Sequence, residues 1–376
     1  MRVLFTASTT SHICNFHLPY LRAFRAMGWT VAVACGGDPS GIVEADERLA
    51  LPFEKRMTAL ANWKAQRMLQ QFLEEHPCDL VCTHTSLAAF FTRRATAGLR
   101  HRPPVVNVAH GYLFDDQTSS FKRQILLGAE RLTARQTDLV LTMNRYDLEV
   151  AKRYHLGSRV ENIPGIGVDF TRLDGLAEFD REKLRANYGF EAEDFVLVYA
   201  AEFSVRKNQS MLIRSLAALP KQVKLLLPGQ GALWDTCRDL AVSLGLESRV
   251  IFPGQVSNMA ALYALSDGAV SASRSEGLPF NVMESMYAGL PVIASAVKGH
   301  VDLIVPGQTG LLYPYGDEKA FVAAVTRLLE EAGLAQALGA NARRWVTPYS
   351  LAQVLPQVMD WYMSALSVPA EENAAV

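Results

Sequence analysis

Short, almost continuous apolar runs alternate with helix-patterned stretches from one end of the chain to the other. This constrains the fold more than any other feature. The runs 3–7, 30–35, 79–84, 105–110, 138–143 and 160–163 read as strands with both faces covered, as in a parallel sheet. Between them, 13–27, 59–75, 87–97, 121–135 and 145–154 carry helical periodicity. A second series has strands at 195–201, 224–228, 250–253, 269–273 and 291–294 and helices at 208–216, 233–244, 259–265, 281–288 and 318–329. The pattern predicts two doubly wound α/β domains.

The exposed, charged stretch Leu173-Asp-Gly-Leu-Ala-Glu-Phe-Asp-Arg-Glu182 marks the boundary region, near 168–180. The reading assigns 1–170 to a first Rossmann-like domain and 171–350 to a second. An apolar helix follows at 351–367, and the small acidic tail 368–376 is expected to be disordered. With 376 residues, 49% of them hydrophobic, and a net charge of −1, the chain fills two cores and has no global excess of either sign. A small binding module and a polyanion-coating surface are excluded. The five cysteines are scattered, so a disulfide framework is not expected. The amino terminus reads straight into a strand, and no apolar run approaches the roughly 18 residues of a membrane span. A cytoplasmic protein is expected, meeting a membrane only at its surface.

Open α/β sheets bind ligands beyond the carboxyl ends of their strands, so the candidate chemistry lies in strand-end loops. After one strand, Ser273-Arg-Ser-Glu276-Gly277-Leu278-Pro279-Phe280-Asn281-Val282-Met283-Glu284 opens a helix. Gly277 permits an unusual turn, Pro279 suits a helix start, and the helix amino end favours phosphate. The two glutamates place carboxylates where vicinal hydroxyls of ribose or hexose could bond, although isolated glutamates more often cap a helix or face solvent. After another strand, Arg206 and Lys207 adjoin a helix amino end, which disfavours cations and so suggests an anion between them. Gly229 and Gly231 form a Gly-x-Gly, a weak signal alone because glycines often only make tight turns. In the first domain, Ser11, His12, His17, His84 and His110 lie at strand ends. His110 stands out because Gly111 allows close approach of a ligand.

Together these residues resemble the family 4 retaining glycosyltransferases of GT-B architecture, two Rossmann-like domains facing across a cleft, and most of all those that build bacterial exopolysaccharide or capsule. The resemblance covers nearly the whole chain. It rests on Glu276 through Glu284, the following Ser-Met-Tyr-Ala-Gly-Leu-Pro-Val-Ile-Ala, Val305-Pro-Gly-Gln-Thr-Gly-Leu-Leu, Ile163-Pro-Gly-Ile-Gly-Val-Asp169 and Arg206-Lys-Asn-Gln209.

It implies that Glu284 holds the ribose and Glu276 contacts the donor sugar, whose pocket Gly277, Leu278, Pro279 and Phe280 line. Lys207 neutralises the diphosphate with Arg206, Gly229 and Gly231 join the donor site, and His110 approaches the sugar. Ser11, His12, His17 and His84 fall on the acceptor side. It further implies same-face substitution without a protein nucleophile, and a terminal helix returning to the first domain of a hinged, closing cleft. Two positions depart from the pattern: Glu202 stands where relatives often carry arginine, and Thr9-Thr10-Ser11-His12 replaces a Gly-Gly loop.

The expected reaction is retaining transfer of a hexose or N-acetylhexosamine from a nucleotide-diphosphate sugar, in the first instance a UDP-sugar, to a saccharide or polyprenyl-linked acceptor. No metal is expected, since no Asp-x-Asp clamp is present, and neither a cofactor nor a nucleic-acid partner is expected. Competing readings are a non-hydrolysing nucleotide-sugar epimerase and a non-catalytic nucleotide-binding partner of a polysaccharide assembly. Arg93, Arg94, Arg100, Arg102, Lys122, Arg123, Arg131 and Arg135, interleaved with Phe121, Ile125, Leu126, Leu127 and Leu132, suggest a basic face for an anionic membrane. A core-facing helix with a solvated basic side is the equal alternative.

Overall fold

The computed structural model describes residues 1–367, so the expected tail 368–376 lies outside the described residues. The chain divides into two compact units, Met1–Ile166 with the segment from Ala352 onward, and Gly167–Leu351. The division falls just ahead of the charged stretch marked from sequence. At this border Gly167 has φ +77°, and a Cβ there would meet the Leu351 Cα at 2.7 Å. The glycine lets two segments cross, joined by Val168 N to Tyr349 O (3.0 Å) and Leu351 N to Val168 O (2.8 Å).

In the first unit, β1 (Arg2–Ala7), β2 (Thr30–Gly36), β3 (Glu47–Leu51), β4 (Leu80–His84), β5 (Val105–Ala109), β6 (Leu139–Thr142) and β7 (Arg159–Asn162) form a parallel sheet in the order β3-β2-β1-β4-β5-β6-β7. In the second, β8 (Phe195–Val198), β9 (Val223–Leu226), β10 (Val250–Ile251), β11 (Gly268–Ser271), β12 (Val292–Ser295) and β13 (Leu311–Tyr313) are ordered β10-β9-β8-β11-β12-β13. Each chain path runs outward from its first strand, then returns to the other side of it. The order therefore reverses between β1 and β4, and again between β8 and β11. Loops on either side of such a reversal diverge and leave a crevice at the carboxyl ends.

Alternating residues of a central strand pack on opposite layers. Leu4 joins a core cluster with Ala65, Leu69 and Leu73 of the helix Leu60–Glu75. Its neighbour Phe5 sits edge-on to Phe24 at 5.8 Å and to Tyr362 at 6.0 Å. Tyr362 belongs to the helix Leu351–Ser364, which also buries Val354 and Val358. This terminal helix thus completes the first unit, to which its contacts assign it.

The structure departs from the sequence reading where the signal was not a continuous apolar run. Edge strand β3 alternates half-buried and exposed residues, so its polar face hid it. Edge strand β13 is only three residues long. The expected helix 13–27 breaks into Thr10–Phe16 and Leu18–Ala26, with Pro19 in the first turn of the second. Pro lacks the N–H that would continue the first helix.

Nor do all the basic residues assigned to one face reach it. Arg93 is fully buried, its guanidinium 2.7 Å from Glu130 and donating to the Ala89 carbonyl. Arg102 forks onto both oxygens of Asp138, at 2.6 and 2.8 Å. Because a buried charge without its partner is costly, Glu130→Ala is expected to lower unfolding stability by about 3–5 kcal/mol, as read by denaturant titration. Replacing both partners with apolar residues, Arg93→Met with Glu130→Leu, should recover most of that loss.

Candidate functional site: a charged loop pair and a histidine cluster

The reversal in the second unit is flanked by the loops after β8 and β11, and an ion pair joins them. Lys207 Nζ lies 2.6 Å from one carboxylate oxygen of Glu276, and Arg206 Nη1 lies 2.9 Å from the other. Arg206 also donates to the Ser275 carbonyl at 3.2 Å. Lys207 and Glu276 are buried while Arg206 is exposed, so one cation is desolvated and the other open to solvent. The anion that sequence placed between the two cations is, in this state, the protein's own carboxylate.

Burial would raise the Glu276 carboxyl, but Lys207 and Arg206, with a smaller share from His300, hold it at about 2. It is ionised at neutral pH. Burial lowers the Lys207 ammonium below its ordinary range, with Glu276 opposing that shift.

Behind this pair runs a chain of hydroxyls. Tyr199 pairs with Ser273 Oγ at 2.8 Å and donates to the Lys207 carbonyl at 3.2 Å. Ser295 donates to the Ser273 carbonyl at 2.6 Å, and His300 Nδ1 lies 2.8 Å from the Ser295 carbonyl. Burial holds the His300 imidazole at about 4, hence neutral. Gly299, at φ +82°, has no room for a Cβ, which would meet the Gly277 carbonyl oxygen at 2.8 Å. Tyr199, Ser295, Gly299 and His300 escaped the sequence reading, because isolated hydroxyls, a lone glycine and a lone histidine carry no spacing signal.

Glu284 lies one turn into the helix Phe280–Tyr287 and is half-buried. Tyr263, from the neighbouring helix Met259–Leu265, donates to it at 2.9 Å. Burial raises its carboxyl above the usual range, and Tyr263 and Arg172 only partly offset this. Between the glutamates, Leu278 and Pro279 are buried, while Gly277 and Phe280 are half-buried.

Gly229 and Gly231 have a packing reason to be glycine. Their φ values are +140° and +154°, and a Cβ would strike the carbonyl oxygens of Ala201 and Phe203 at 2.1 and 2.4 Å. Backbone bonds from Ala201 N to Pro228 O (3.1 Å) and Phe203 N to Gln230 O (2.9 Å) run alongside. The Gly-x-Gly thus serves a backbone pairing that extends β8 and β9. A shallow groove lined by Arg181, Tyr263, Asp267, Gly289 and Pro291 lies at the amino ends of β11 and β12, away from these loops.

In the first unit the reversal between β1 and β4 collects four histidines. His12 lies on the short helix after β1, His17 just beyond it, His84 ends β4 and His110 follows β5. The His17 and His84 rings, tilted by 31°, have centroids 3.7 Å apart, and His84 Nδ1 is 3.1 Å from His110 Nε2. His12 meets His110 edge-on at 4.6 Å. Ser11 is exposed, whereas His17 and His84 are fully buried. The acceptor-side assignment of those two is corrected: neither has surface to offer a saccharide. Burial lowers all four imidazoles, His12 to about 4, and neighbouring histidines add to the shift at the other three.

Comparison with known proteins identifies the family. A model described as Glycosyl transferases group 1 matches residues 180–345, and one described as Glycosyltransferase Family 4 matches residues 20–172. The chain is 32% identical to the EpsD protein of Bacillus subtilis (strain 168) over 378 residues, 99% of each chain. It is 22% identical to the UDP-Gal:alpha-D-GlcNAc-diphosphoundecaprenol alpha-1,3-galactosyltransferase of Escherichia coli, over 82% of this chain and 81% of that one. Among solved structures, Anabaena Alr3699/HepE in complex with UDP and glucose superposes with a TM-score of 0.81 at 22% identity, covering 97% of this chain and 100% of that one. The chain belongs to the group 1 and family 4 glycosyltransferases, with the two Rossmann-like domains of the GT-B fold.

Proposed function

We propose that this glycosyltransferase transfers a hexose or N-acetylhexosamine, with retention, from a UDP-sugar to a saccharide or polyprenyl-linked acceptor in bacterial surface polysaccharide synthesis. The observation that carries the reading is the meeting of Lys207, Arg206 and Glu276 at the β8–β11 reversal. A diphosphate entering there competes with Glu276 for the two cations and is neutralised by charge-assisted bonds. Glu276, released in part, then accepts hydroxyls of the donor sugar beside Gly277, Leu278, Pro279 and Phe280. Glu284, held by Tyr263, receives the ribose hydroxyls. His110 is the residue of the first unit that we assign to catalysis.

Lys207, Arg206 and the amino end of the helix Phe280–Tyr287 supply the charge that a divalent cation brings elsewhere, so transfer is expected to persist in chelator. The leaving phosphate takes the acceptor proton on the same face of the sugar, and no protein nucleophile is required. The Escherichia coli relative is named for a UDP-sugar and a diphosphoundecaprenol acceptor, and the Anabaena structure holds UDP and glucose. Both support the choice of donor nucleotide.

No described helix is long and apolar enough to cross a membrane. The helix Ser120–Leu132 instead exposes Phe121, Ile125 and Leu132 with Lys122 and Arg131 beside them. That face supports reversible docking on an anionic cytoplasmic leaflet, where a lipid-linked acceptor would lie.

UDP at a hundredfold excess over its Kd should stabilise the protein by about 2.7 kcal/mol without added metal. Glu284→Ala should lose that gain in a thermal-shift assay, and an equal response from the variant would overturn the ribose assignment. Lys207→Ala is expected to cut kcat by about 100-fold or more.

The stability that Glu276 contributes is present above pH 4.5, its unfolded value, and is lost as pH falls toward about 2. Acid-unfolding curves of Glu276→Gln should therefore be flatter than the parent's over that window. Sedimentation with anionic vesicles should fall with salt and with a Phe121→Ser, Ile125→Ser double substitution. Absence of binding at low salt would remove the membrane reading.

A further inference from the structure

The histidine cluster of the first unit has a feature that sugar transfer does not require. Buried polar atoms are normally paired, and an orphan marks a missing water or ion. Here both ring nitrogens of His17, Nε2 of His12 and Nε2 of His84 are buried without a hydrogen-bond partner. His12, His17 and His110 each present one ligand nitrogen, all within 4.8 Å of one another. We propose that His12, His17 and His110 form a binding site for one divalent transition ion of the zinc class, with His84 orienting His110.

Imidazole nitrogen suits zinc, cobalt, nickel and copper, and four rings this close cannot all be protonated, so lone pairs are available. Tetrahedral ligation at about 2.0–2.1 Å sets nitrogen separations of about 3.4 Å, and the present nitrogens already lie within 4.8 Å of one another. His84, bonded to His110 at 3.1 Å, fills the place of the outer partner that fixes a ligating ring. Three ligands leave a fourth position for water or an anionic oxygen.

The placement is supported by its framework. His12 and His17 follow β1, and His84 ends β4, so the loops at the reversal carry three of the four rings. Thr85, directly after His84, is held at φ +65°, and its hydroxyl accepts from Ser8 N at 3.0 Å. A non-glycine residue in that region persists only where its surroundings hold it. Where the transferase reading assigns His110 to catalysis, an ion bound here would occupy that imidazole, so it would act as a brake on transfer.

The test uses untagged full-length protein, stripped with chelator and dialysed. Cobalt(II) titration should give visible ligand-field bands saturating at one equivalent, and zinc(II) should bleach them. His12→Ala, which alters a half-buried ring, should weaken cobalt binding by more than about tenfold. His17→Gln should do the same, and the exposed control His101→Ala should bind as the parent does. Circular dichroism and melting curves establish that the variants fold. Absence of saturable bands in the parent, or parental affinity in His12→Ala, would overturn the proposal. The readout needs no turnover, so its failure leaves the transferase reading standing.

Discussion

The buried ion pair between Lys207 and Glu276 is the interaction on which the arrangement of the second unit's strand-end loops depends. Two charges taken out of water repay their desolvation only with close geometry and further hydrogen bonds. Both conditions are met: the contact is 2.6 Å, Arg206 takes the other carboxylate oxygen, and the Tyr199–Ser273–Ser295–His300 chain anchors the backbone behind it. The pair joins loops that leave adjacent strands in diverging directions. It thereby ties the two loops together and fixes the Lys207 ammonium beside the carboxylate.

The two units show what one topology does with different loop residues. Both sheets reverse order beside their first strand, and both gather titratable groups at that reversal. In the second unit the groups are charged and paired; in the first they are imidazoles kept neutral by burial and by one another. The parallel sheet decides where the groups collect, because every strand delivers its loop to the same edge. The loop sequence decides what they bind.

Much of the fold was legible because buried parallel strands leave an unmistakable apolar signature. Half-exposed β3 and three-residue β13 were not legible, since an edge strand has only one covered face and a short one has no period. The helix Leu334–Val346 was likewise hidden behind Glu318–Glu330, from which Gly333, at φ +77°, separates it. In the site, the spacing of Glu276 and Glu284 and the Arg206–Lys207 pair could be read directly. That Arg93 turns inward to Glu130 could not be read, because charge alone does not say which side of a helix is covered.

The sequence by itself determined the alternation of strand and helix, the two-domain division, the glycosyltransferase kinship and the local seats of Arg206, Lys207, Glu276 and Glu284. The alternation and the division rest on hydrophobic periodicity, and the kinship on the likeness of several spaced motifs to those of a known family. Tertiary structure alone decided that Glu276 satisfies the cations of a loop some seventy residues away, that Gly231 makes room for the Phe203 carbonyl, and that the rings of His12, His17, His84 and His110 pack together. Such meetings are set by strand order, and strand order depends on which sheet edges can be covered by the intervening helices. No spacing along the chain encodes that distance.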